Sequence, residues 1–197
     1  MQNKGNKKVT GIHFFNCFVA LLWLHLGERR YDMPREIQFQ EDEPDLPIKI
    51  HAGSYAPDGW TYCEGQLLNM GNFSDLYNAL GCRFGGDGVS LFAIPDFRDV
   101  EKKYGGVRFI ISMNGTMDDT DYISGIKPFD GPVAPQGWFF CEGQFIGMEY
   151  SNLYSLIGTT YGGDGKTNFA LPDLRKIGRD LACKYCICYK GVYPGRN

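Results

Sequence analysis

The chain contains no dense run of Lys and Arg, no closely spaced cysteine framework, no apolar stretch of membrane-spanning length and only three histidines. Each absence removes a class of function. Without a basic cluster, and with a net charge of −3, nothing tracks a phosphate backbone, which argues against a nucleic-acid partner. The histidines His13, His25 and His51 fall outside any repeated pattern. No base is therefore signposted for a nucleophile, and no histidine-built metal site is expected. Cys183, Cys186 and Cys188 lack the second motif of a tetrahedral zinc site. The expectation is no metal and no cofactor. The seven cysteines suit a reducing compartment or a protein with one or two bridges. The longest apolar stretch, Ile12 to Leu26, falls short of the roughly 20 residues of a span and contains His13, Asn16 and His25.

The basic residues Lys4, Lys7 and Lys8 before that stretch still give it the look of a signal peptide or anchor. Met33 offers another start, which would make residues 1–32 upstream translation. A membrane contact is expected only if 12–26 is an anchor. Residues 41–45 are acidic and contain Pro44, so they read as a linker.

What is plentiful is Gly, at 26 residues, and aromatic side chains, at 15%. Many tight turns and strand-favouring aromatics predict a mainly β protein with short helices, α+β in class and rich in loops.

The dominant feature is an internal duplication. Gly53, Ala56, Pro57, Gly59 and Trp60 recur as Gly131, Ala134, Pro135, Gly137 and Trp138, at an offset of 78. Cys63-Glu64-Gly65-Gln66 recurs as Cys141-Glu142-Gly143-Gln144. One deletion later, at an offset of 77, Ser74, Leu76, Tyr77 and Gly81 recur as Ser151, Leu153, Tyr154 and Gly158. Gly85-Gly86-Asp87-Gly88 and Gly162-Gly163-Asp164-Gly165 match, as do Pro95, Asp96 and Arg98 with Pro172, Asp173 and Arg175. An alternating stretch ending in Gly closes each copy, from Phe109 and from Tyr185. The expected organisation is an N-terminal segment 1–45, a first copy 46–120 and a second copy 121–197.

Each block has a scaffold reading. Pro57-Asp58-Gly59 and Pro135-Gln136-Gly137 are turns. Trp60 and Trp138 then open short strands. Each is expected to bury about 200 Å², on the order of 5 kcal/mol. Ser74 to Gly81 reads as a short helix with Ser74 as N-cap and Gly81 as left-handed exit, and Ser151 and Gly158 repeat this. Asp96 and Asp173 read as turn caps or local partners of Arg98 and Arg175, although converging acids would suit Ca²⁺. Cys63 and Cys141 read as small buried hydrophobes. Gly65, Gly143, Pro95 and Pro172 read as structural.

Taken together, these blocks resemble the phage tail collar domain, also found in the microcystin-dependent protein family of bacteria. Pro-x-Gly-Trp, Cys-Glu-Gly-Gln, the Leu-Tyr-x-Leu-Ile-Gly helix of 153–158, Tyr-Gly-Gly-Asp-Gly and Phe-x-Leu-Pro-Asp-Leu-Arg carry the resemblance. It covers roughly residues 47–115 and 126–197. Copy one departs mildly, with Phe84 for Tyr and Asp99 for the Gly after Arg98. The resemblance implies tandem collar-like domains and a non-catalytic tail-fibre or collar-like structural protein that serves in host or surface attachment. It also implies a place in a virion tail or at the cell surface, a glycan or tail-subunit partner and a homotrimer. The alternatives are a stand-alone bacterial protein of the microcystin-dependent type and, behind it, a polysaccharide-acting hydrolase. Candidate contacts are Tyr55, Tyr62, Phe84, Asp87, Tyr150, Tyr161 and Asp164, which lie in or beside the Gly-rich loops.

Overall fold

A computed structural model describes residues 46–180 and 183–195. The apolar stretch 12–26, the alternative start at Met33 and the linker 41–45 lie outside the described residues. In copy one, β1 (Ile48–His51), β2 (Trp60–Tyr62) and β3 (Leu67–Asn69) lead to the helix α1 (Ser74–Leu80). β4 (Leu91–Ala93), α2 (Arg98–Lys103) and β5 (Arg108–Ser112) follow. Copy two repeats the order with β6 (Gly125–Phe129), β7 (Trp138–Phe140), β8 (Phe145–Gly147) and a 3-10 turn (Met148–Tyr150). It continues with α3 (Ser151–Ile157), β9 (Asn168–Ala170), α4 (Arg175–Asp180) and β10 (Lys184–Cys188). The protein is thus β-rich with short helices, as its composition predicts.

One six-stranded sheet runs through both copies in the order β2-β5-β1-β6-β10-β7. Its two halves are the same three strands in reverse, joined where β1 pairs antiparallel with β6 at Ile50↔Ile126 and His51↔Gly125. The arrangement has an approximate twofold relation at that seam. Four consecutive residues are buried in β5 and in β10. Uninterrupted burial means that both faces of those strands are covered. The small hairpins β3-β4 and β8-β9 stand apart from this sheet.

The helices hold by docking, since seven residues cannot sustain a helix alone. Leu76 and Leu80 of α1 are wholly buried near Phe92, whose ring meets Tyr77 at 5.5 Å. Leu153, Leu156 and Ile157 of α3 repeat this near Phe169, with Tyr154 at 5.4 Å from its ring. Gly81 and Gly158 exit at φ of 59° and 55°. The predicted Ser caps are displaced by one residue. Phe73 and Tyr150 occupy the N-cap positions without a side-chain hydrogen bond, and Ser74 and Ser151 begin the helices.

Trp60 is 5% exposed, whereas Trp138 is only half-buried. Lys49 and Lys127, which share the offset of 78, place their ammonium groups 4.8 and 5.8 Å from these indole rings. Lys49 also bonds Asp118 at 2.9 Å, and Lys127 pairs with Asp121. The cation covers the indole in each copy, but more completely in copy one.

Candidate functional site

The repeated motifs are built to hold their own loops. Gln66 receives the amide of Glu64 at 3.0 Å and donates to the carbonyl of Tyr62 at 3.0 Å. Gln144 does the same with Glu142 and Phe140, at 3.0 and 2.6 Å. Between them, Gly65 and Gly143 sit at φ of 77° and 74°. A Cβ there would also lie 3.2 Å from the Cβ of Asp96 or Asp173, so Gly is required twice over.

Asp96 receives Arg98 through Nε at 2.9 Å and Nη2 at 2.5 Å, and Asp173 receives Arg175 at 2.9 and 2.6 Å. Each aspartate also accepts the first helical amide, at 3.2 Å, and so starts α2 or α4. These arginine bonds hold both carboxyls below the usual carboxylate range.

Asp87 accepts the amides of Val89, Ser90 and Leu91 at 2.8–2.9 Å and the Ser90 hydroxyl at 2.8 Å. Asp164 accepts those of Lys166, Thr167 and Asn168 at 2.7–3.0 Å and the Thr167 hydroxyl at 2.6 Å. These bonds hold both carboxyls far below the usual carboxylate range. The two carboxylates therefore stitch the Gly-rich loops.

Cys63 and Cys141 are buried, and desolvation pushes both thiols well above their ordinary value. A thiol held protonated is a poor nucleophile. Among the described residues, no cluster of three or more His, Cys, Asp or Glu side chains is placed to hold a metal ion. Among them, too, no helix is long and apolar enough to cross a membrane.

The candidate aromatics are anchored at different places. The Tyr55 hydroxyl donates to Pro194, at 3.3 Å. Tyr150 meets Phe139 edge-on at 5.0 Å, and Phe139 stacks on Tyr189 at 4.2 Å. Phe84 is half-buried beside an exposed loop. Tyr62 and Tyr161 converge on one short segment, with Tyr62 donating to Gly53 at 3.1 Å and Tyr161 to Ala52 at 3.3 Å. Tyr161 thus reaches from copy two into copy one. Burial pushes the pKa of both phenols above the ordinary value and keeps them protonated.

The copies diverge beside this contact, at residues outside the predicted site. In copy one, Arg108 lies 3.8 Å above the ring of Tyr62 and pairs with Glu64. The Arg108 Nε is also 3.0 Å from Glu101, close enough for an ion pair although the angle is not that of a hydrogen bond. Glu101 is 6% exposed and accepts the Phe109 amide at 3.0 Å. At the matching places copy two has Gly178 and Lys184. There a cavity of about 410 Å³ opens, with Phe140, Glu142, Gly178, Arg179, Lys184 and Asp130 on its walls. The signal for this was present in the repeat register, where Glu101 aligns with Gly178. It lies between the Pro-Asp-x-Arg block and the closing stretch, where the copies share no motif.

A family model described as the Phage Tail Collar Domain matches residues 47–101 and 124–177. No curated protein and no solved structure matches the chain.

Proposed function

The chain belongs to the phage tail collar domain family, and on that footing we propose that it is a non-catalytic structural component of a tail-fibre type of assembly that serves in attachment to a host or other surface. The observation that carries this reading is the double match to a tail domain. The chemistry of the motifs supports it. The repeated aspartates hold backbone amides and arginines, and the repeated thiols are buried and protonated. Residues so engaged shape loops, and shaped loops on a rigid sheet are what recognition requires. The proposed location is a virion tail or a cell surface, and the proposed partners are surface glycans or neighbouring tail subunits.

Two measurements test this. Antibody labelling is expected to find the protein in tail or appendage particles. A glycan array is expected to show binding by the purified chain. Absence from every such particle together with an array that shows no binding would overturn the proposal.

A second reading is favoured by the shared sheet. Each copy supplies half of the six strands, so the duplication reproduces within one chain a contact that two chains would otherwise make. On that reading the protein acts alone as a single-chain pseudo-dimer. Light scattering separates the readings: a stable trimer supports the fibre type, a monomer the stand-alone type.

A further inference from the structure

The cavity of copy two is the site that copy one fills with its own atoms. In copy one, the carboxylate of Glu101 faces the cation of Arg108 and takes the amide of Phe109. Tyr161 covers the neighbouring ground by bonding the Ala52 carbonyl. In copy two all three elements change. Gly178 supplies no carboxylate, and the Cys183 carbonyl packs where its Cβ would be, at 2.4 Å. The position matching Ala52 is Asp130, on the cavity wall. The residue matching Tyr161 is Phe84, which has no hydroxyl to anchor it.

The walls that remain describe a ligand. Lys184 stands where Arg108 stands, with its ammonium 4.6 Å from the ring of Phe140. Among the described residues no carboxylate lies within ion-pair distance of it. Arg179 adds a second cation. A ligand carboxylate in the place of the Glu101 carboxylate would restore the missing charge. Glu142 and Asp130 supply acceptors for several hydroxyl donors, and Phe140 supplies an apolar ring face. About 410 Å³ is in the range of small-ligand pockets.

We propose that this cavity binds an acidic sugar residue: its carboxylate is held by Lys184 and Arg179, its hydroxyls donate to Glu142 and Asp130, and its ring lies against Phe140. The proposal rests on the attachment reading, naming the class of glycan recognised and the copy that recognises it.

Glucuronate and glucose, titrated calorimetrically into the full chain, test it. Glucuronate is expected to bind, and glucose at least about tenfold more weakly, because a charge-assisted contact is lost. Lys184→Gln is expected to weaken glucuronate at least about tenfold and leave the melting temperature unchanged, since the side chain is exposed. Arg179→Gln is expected to weaken it further. Equal affinity for the two sugars, or glucuronate binding indifferent to Lys184→Gln, would overturn the proposal. Binding of an acidic peptide without glucuronate would overturn it in favour of a protein partner. An array signal that survives Lys184→Gln would leave attachment standing and remove this site. Glucuronate binding without particle incorporation or an array signal would leave the site standing and remove attachment.

Discussion

Copy one is closed and copy two is open. The same strands and α-helices are present in both, and the motif glutamines and aspartates form the same bonds in each. The difference lies in what fills the angle between the second helix of each copy and its closing strand. Copy one places Glu101 and Arg108 there, with Tyr161 reaching over from its neighbour. Copy two places Gly178 and Lys184 there and leaves a cavity. Duplication relieves one copy of a structural duty. Copy one can be packed for stability while copy two keeps a recess at an equivalent place on the same sheet.

Four experiments would break or sharpen that contrast. Trp60→Ala is expected to cost about 4 kcal/mol, because a fully buried indole is lost. Trp138→Ala should cost about half as much, since its ring is half-exposed. Urea denaturation of the two variants reads the difference, and equal losses would contradict the asymmetry.

Glu101→Ala is expected to cost about 2 kcal/mol, because it leaves the buried Phe109 amide without its acceptor and takes from Arg108 the more buried of its two carboxylates. Because copy two already lacks the carboxylate, Lys184→Gln should fall within about 0.5 kcal/mol of the parent. The same denaturation assay tests both.

His51, buried at the seam, gives a pH dependence that copy two, with Phe129 at the matching place, does not share. Its Nε2 lies 3.0 Å from the Tyr55 carbonyl, and burial depresses its pKa from 6.5 to about 4. The folded imidazole therefore stays neutral where the unfolded one takes a proton. Its contribution is complete above pH 6.5 and is lost as the pH falls toward 4. Between pH 7 and 5 the loss should be about 2 kcal/mol. In His51→Phe that slope should disappear, as followed by thermal melts across the same range.

The smallest difference between the copies is expected where their motifs agree. Gly65→Ala and Gly143→Ala should each cost about 1 kcal/mol, and by the same amount, because both residues adopt positive φ against an aspartate. Unequal costs would show that the shared motifs are under different loads in the two copies.

Much of each copy was legible in the sequence. Gly81 and Gly158 were read as left-handed exits, and the chain turns there with positive φ. Trp60 to Tyr62 and Phe109 onward were read as strands, and they are. The Ser caps were misplaced by one residue, because a hydroxyl near a helix start is a weak signal when the helix is held by docking. β1 and β6 were not anticipated. Each is short, carries a lysine and lies outside the Gly, Pro and Trp blocks, although Ile48-Lys49 and Ile126-Lys127 do share the offset of 78. The second helices were not anticipated, although Asp96 and Asp173 read as turn caps or local arginine partners and do accept the first amides of α2 and α4.

The sequence alone determined the unit, its turns and the family, because positive-φ glycines, prolines and capping aspartates act within a few residues of themselves. Only the tertiary structure decided that the two units share one sheet, that Tyr161 of one copy covers the other, and that a cavity remains at Gly178. Those outcomes depend on contacts between residues far apart in the chain. Ile50 meets Ile126, and Tyr161 meets Ala52, with no local pattern announcing either pairing.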